Sequence, residues 1–124
     1  MIQAIHHVAV RVSDLERSIA FYADLLGFAV HTRTTLASGA RIAFLALPGG
    51  GCELELIAGM RDHHAGDGLV HHVAFLVTDA DDVFERLRDA GVPLLDPAPE
   101  TLASGRRLFS FRGPDGEWLQ VTSA

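Results

Sequence analysis

The chain has 124 residues, 48% of them hydrophobic and 21% charged, which excludes a disordered or fibrous protein. Its formal net charge of −6, with one arginine doublet at Arg106 and Arg107, argues against a nucleic-acid partner. A single cysteine, Cys52, leaves no internal disulfide or multi-cysteine metal site.

No apolar run approaches the ~20 residues that span a bilayer, so no membrane partner is expected. The opening MIQAIHHVAV lacks the basic-then-apolar pattern of a secretory signal, and a cytoplasmic setting is expected. Histidine is the unusual feature. Six of seven stand in adjacent pairs: His6–His7, His63–His64 and His71–His72. Imidazole is the commonest metal ligand and the side chain that titrates nearest neutrality.

From the N-terminus, residues 4–12 are rich in β-branched side chains and read as a strand. Ser13 to Glu16 reads as a capping box, with Ser13 as cap, followed by a helix to about Leu26 that Gly27 closes. Ile19, Tyr22 and Leu26 give that helix an apolar face. Strands are expected over 29–35, 41–47 and 52–57. The same order then returns. HVAVRVSD at 7–14 matches HVAFLVTD at 72–79, an offset of 65. A second helix opens within Thr78 to Asp81 and ends at Gly91; strands are expected over 93–95, 107–111 and 118–122, with a turn at Gly113–Gly116. Two copies of a βαβββ unit, over 1–58 and 69–124, flank a polar, glycine-rich linker at 59–68 that holds His63 and His64. The chain is expected to be one domain of two such modules.

Strand parity places His7 on one face of the first strand with Ile5, Ala9 and Arg11, and sends Val8, Val10 and Val12 to the other, where a helix can pack. His72 repeats the place of His7. Glu55 (with Glu53) and Gln120 (with Trp118) hold equivalent places in the fourth strands. If the units pair symmetrically, His7, Glu55, His72 and Gln120 can converge. Such a set suits a borderline divalent ion of Ni, Co, Zn, Mn or Fe, and a buried carboxylate needs a cation beside it. His6 and His71 are expected on the opposite face, in structural roles. Cys52 carries no signal. Phe44, Phe109 and Trp118 are either core or the lining of an aromatic cavity.

The segment HHVAVRVSDLERSIAFYADLLGF resembles the opening motif of the vicinal oxygen chelate superfamily. GLVHHVAFLVTDADDVFERLRDAG and PDGEWLQV resemble its second-module opening and its close. The resemblance implies an α+β fold, two βαβββ modules forming an incomplete eight-stranded barrel around a metal. It implies His7, Glu55, His72 and Gln120 as ligands of one divalent transition-metal ion per site. Glyoxalase I and methylmalonyl-CoA epimerase are the nearest sub-families. Gln120, where dioxygenases and fosfomycin enzymes have Glu, speaks against those. The epimerase's usual base position holds Ala37, and Gly59 stands where bacterial glyoxalases have Asn.

The activity implied is that of a glyoxalase-I-like lyase or isomerase, acting through an enediolate on a substrate with two adjacent oxygens. Glu55 is the implied base, Arg11 the anchor of a remote carboxylate, and Trp118 a substrate contact. A small-molecule glutathione or CoA thioester adduct and a homodimer are the expected partners. The alternatives are an epimerase with the same ion and a non-catalytic small-molecule binder.

Overall fold

The structure, a computed structural model, describes residues 3–59, 68 and 70–123. The chain divides into two compact units, Met1–His64 and Ala65–Ala124. Residues 60–67 of the expected linker, with His63 and His64, lie outside the described residues. Ala58, just ahead of it, ends a strand.

The first unit runs β1 (His7–Val12), α1 (Leu15–Ala20), a π-helical turn (Phe21–Leu25), β2 (Ala29–Thr35), β3 (Arg41–Ala46) and β4 (Glu53–Ala58). Its sheet order is β1-β4-β3-β2, with β1 parallel to β4 and the other pairs antiparallel. The second unit runs β5 (Val73–Val77), α2 (Ala80–Asp89), β6 (Glu100–Thr101), β7 (Arg107–Arg112) and β8 (Trp118–Ser123), in the matching order β5-β8-β7-β6. The expected fold class, α+β with eight strands built as βαβββ twice, is what the structure holds. No described helix is long and apolar enough to cross a membrane.

Burial follows the alternation. Leu54, Leu56 and Ala58 are buried while Glu53, Glu55 and Ile57 are only partly covered. On the packed face of the first unit, Leu15, Ile19 and Tyr22 meet a sheet that offers Ala43, Leu45, Leu54 and Leu56, all buried. In the second unit Phe84 of α2 stands edge-on to Phe109 of β7, with ring centres 5.1 Å apart.

Three expectations are corrected. The cap of α1 is Asp14, not Ser13: its carboxylate accepts from the Arg17 amide at 3.1 Å, and Asp79 does the same for Asp82 at 3.2 Å. Ser13 instead accepts from the Arg17 guanidinium. Second, residues 93–95 form no strand, only an isolated bridge of Leu94 to Phe111. Pro93, Pro97 and Pro99 lack the amide hydrogens a ladder needs, and pairing resumes at β6. Third, the first helix is not α-helical to its end. Its repeat offset is 65 at the caps Asp14 and Asp79 but 64 at the closing glycines Gly27 and Gly91. The first unit thus carries one extra residue, and the π-helical turn takes it up. Both glycines adopt the positive φ that ends a helix, 86° and 78°.

Charge ties each helix to its sheet from outside. Arg33 and Arg41 hold Glu16, and Arg107 holds Asp81 with contacts of 2.9 and 2.6 Å. The Arg33 hydrogen bond, aided by Arg41, keeps the Glu16 carboxyl below its ordinary range; the Arg107 hydrogen bond does so for Asp81.

Candidate metal centre

In the first unit, the parallel register pairs His7 with Glu53, Ala9 with Glu55 and Arg11 with Ile57, so all share one sheet face. His7 leans along the strand toward Glu55, Nε2 to Oε1 3.9 Å. That is too long for a hydrogen bond. Two donors each about 2.1 Å from one ion stand between about 3.0 and 4.2 Å apart for ligand angles from 90° to 180°, and this pair falls inside that range. The Glu55 side chain is 12% exposed and His7 38%. Glu55 accepts no hydrogen bond among the described residues. A carboxylate so covered costs several kcal/mol unless a cation or donor meets it. The Phe44 ring, opposite Glu55 in β3, stands edge-to-face with His7 at 5.3 Å. These residues fit a divalent ion.

In the second unit, Ala74 pairs with Gln120, which puts Ala74 and Leu76 on the face of Gln120 and Thr122, while His72 stands just ahead of β5. The Gln120 amide nitrogen donates to Ser110 Oγ at 3.5 Å, so the amide oxygen is the atom that could meet an ion. Trp118 meets His71, with 4.2 Å between ring centres, and the Arg112 guanidinium stands 4.7 Å from the indole centre. Among the described residues, no group of three or more His, Cys, Asp or Glu side chains is assembled for a metal. The four expected ligands divide two to each unit.

One expectation about neighbours fails, and one choice left open is decided. His6 and His71 do not turn away: each Nδ1 meets the Nδ1 of His7 or His72, at 2.9 and 3.0 Å. Phe109 is not on the site face. It is fully buried against α2, and Ser110 holds the place of Phe44, because Ser110 pairs with Gln120 as Phe44 pairs with Glu55.

Strand parity also missed His31. A bulge between Val30 and Thr32 swings it toward Glu53, Nδ1 to Oε1 2.7 Å. With Ala46, Leu47, Gly50, Gly51, Cys52 and Glu53, it lines a cavity of about 210 Å³ at the β3–β4 hairpin. The only signal in the sequence was a seventh, unpaired histidine. Cys52 is exposed there, its thiol toward the Glu53 carbonyl.

Residues 4–121 match the model of the glyoxalase/bleomycin resistance protein/dioxygenase superfamily. The chain belongs to that superfamily. It is 34% identical to the uncharacterized protein YwbC of Bacillus subtilis (strain 168), over 97% of each chain. It is 32% identical to an ethylmalonyl-CoA/methylmalonyl-CoA epimerase of Cereibacter sphaeroides, over 93% of this chain and 92% of that one. A probable lactoylglutathione lyase of Synechocystis is 30% identical over 94% and 95%. A superfamily member from Sphaerobacter thermophilus matches in structure with a TM-score of 0.83 at 25% identity, over 99% and 98%.

Proposed function

We propose that the chain is a metal-dependent lyase or isomerase of the glyoxalase I type, with His7, Glu55, His72 and Gln120 as ligands of one divalent transition-metal ion. The observation that carries this is Glu55: a largely covered carboxylate with no hydrogen bond among the described residues and an imidazole nitrogen 3.9 Å away. The ion, when bound, supplies Lewis-acid stabilisation of charge on two adjacent substrate oxygens.

Glu55 removes a carbon-bound proton, leaving an enediolate, and returns the proton to the neighbouring carbon. Gln120 cannot share this role, since an amide is not a base near neutral pH. Arg11, on the face of His7, anchors a remote carboxylate through its fork of donors. Trp118 offers an aromatic surface on the face of Gln120. The substrate class is a small glutathione or CoA thioester adduct. The working form is a cytoplasmic homodimer, in which a second copy covers sheet edges.

Metal analysis of the purified protein, with turnover of a 2-oxoaldehyde–glutathione hemithioacetal, tests the reading. One tightly held transition ion per site and isomerisation to the thioester support it. A metal-free protein that binds a large aromatic ligand without turnover makes it a binder instead.

A second reading is an epimerase. The His31–Glu53 pair favours it, because Glu53 can hold the Nδ1 proton and leave Nε2 to carry a second proton. Epimerisation needs two proton carriers; internal return needs one. Methylmalonyl-CoA that takes up solvent deuterium with the wild-type protein, but not with His31→Ala, would select this reading.

A further inference from the structure

The histidine doublets occur at the same place in both units, and the same atoms meet in each. His6 Nδ1 lies 2.9 Å from His7 Nδ1, and His71 Nδ1 lies 3.0 Å from His72 Nδ1. The rings are nearly perpendicular in both, at 84° and 88°. His6, His71 and His72 stand just outside β1 and β5, where strand alternation does not set their direction, yet the same contact forms in both units.

We propose that His6 and His71 are positioning residues: each accepts the Nδ1 proton of the next histidine and so presents that histidine's Nε2 lone pair to the metal. This rests on the metal reading above. Two facing ring nitrogens can bond only if one carries the proton and the other a lone pair. If His7 ligates through Nε2, its one proton sits on Nδ1 and is donated to His6. His6 then keeps its own proton on Nε2. The geometry agrees, because in His7 the nitrogen facing Glu55 is Nε2. The reversed arrangement protonates His7 Nε2 and removes the ligand. A partner on the second ring nitrogen of a ligating histidine fixes both its tautomer and its ring orientation.

The outer sides of the two doublets differ. His6 and His71 are both exposed, but His71 also lies against Trp118, over which the Arg112 guanidinium stands. Removing the His6 side chain therefore opens no buried cavity.

The test uses Co²⁺ alone, titrated against a competing chelator, with circular dichroism as the control for folding. His6→Ala and His71→Ala should each weaken Co²⁺ binding on the order of 10- to 100-fold. His6→Asn and His71→Asn should restore most of it, because the Asn side-chain oxygen can replace Nδ1 as acceptor. Unchanged affinity in the alanine variants, with binding abolished in His7→Ala, overturns the proposal and leaves the metal reading intact. Wild-type affinity in His7→Ala overturns both. Weakening that asparagine does not restore overturns the acceptor role. Should His6→Ala not fold, His6→Phe replaces it, keeping a ring without the acceptor nitrogen; wild-type affinity in that variant likewise overturns the proposal.

Discussion

The two units share one topology and part in what they set around equivalent strand positions. On the site face of the first, Glu55 is flanked by His7 and faced by the Phe44 ring, with no hydrogen bond among the described residues. On that of the second, Gln120 is faced by Ser110 and bonded to it. One unit keeps a carboxylate short of partners; the other supplies a neutral, already bonded amide. The same order of strands can therefore hold a reactive half and a holding half, and exchanging groups between them tests that division.

The largest effect is expected at Glu55. Glu55→Gln gives both units the same amide. It should keep most of the metal and lose on the order of 10²- to 10⁴-fold in turnover of the hemithioacetal. Metal content and rate are measured on the same preparation. Retained activity at full occupancy would pass the base to Glu53, two residues away on the same face. Gln120→Glu, the reverse exchange, should not restore turnover to Glu55→Gln if the halves are distinct.

Next in size is the aromatic pair that the register separates. Phe109→Ala empties a fully buried position against Phe84 and should cost about 3–5 kcal/mol, a fall in Tm of more than about 10 °C. Phe44→Ala should cost less, since its ring is only partly covered, but should disturb metal binding through His7. Thermal unfolding and Co²⁺ titration of both variants check this. Equal losses of stability would contradict the assignment of the two rings to opposite faces.

The pair also marks where a sequence stops being legible. The repeat, the strand parity of β1 and β4, and the choice of His7 and Glu55 for one face needed only period-two alternation. Phe44 and Phe109 are 65 residues apart, the offset that relates Glu55 to Gln120, yet the β3–β7 correspondence runs at 66. A shift of one residue exchanges the faces of a strand, so which aromatic faced the site depended on a loop-length difference. His31 was hidden in the same way, because a bulge breaks the alternation that parity assumes. The doublets were misjudged because parity assigns faces to regular strands, whereas His6 and His71 lie just outside β1 and β5, where the backbone no longer imposes it.

Smaller effects should come from the caps. Asp14→Ala and Asp79→Ala each remove a carboxylate that accepts from the first turn, and should cost about 1 kcal/mol each. Ser13→Ala should cost less than about 0.5 kcal/mol, since its bond to the Arg17 side chain lies at the surface. Thermal unfolding of the three variants decides. A Ser13 effect as large as that of Asp14 would return the cap to Ser13.

The smallest effect belongs to the outer ion pairs, and its sign is set by the direction of the carboxyl shifts. Glu16, held by Arg33 and Arg41, and Asp81, held by Arg107, both ionise below their ordinary values of 4.5 and 3.8. The unfolded chain therefore takes up protons first as pH falls. Each pair's contribution is fully present above the ordinary value and is lost as pH drops through the lowered one. Both acids are at the surface, where such pairs are screened by salt and worth little. Glu16→Gln should thus lower Tm slightly at pH 7, and that gap should close as pH falls below the ordinary value of 4.5. It should also shrink in concentrated salt. Asp81→Asn should behave alike, with its gap closing at lower pH, because an aspartate begins from the lower ordinary value. A gap that widens on acidification would mean that Glu16 stabilises the fold through its protonated form, against the two arginines beside it.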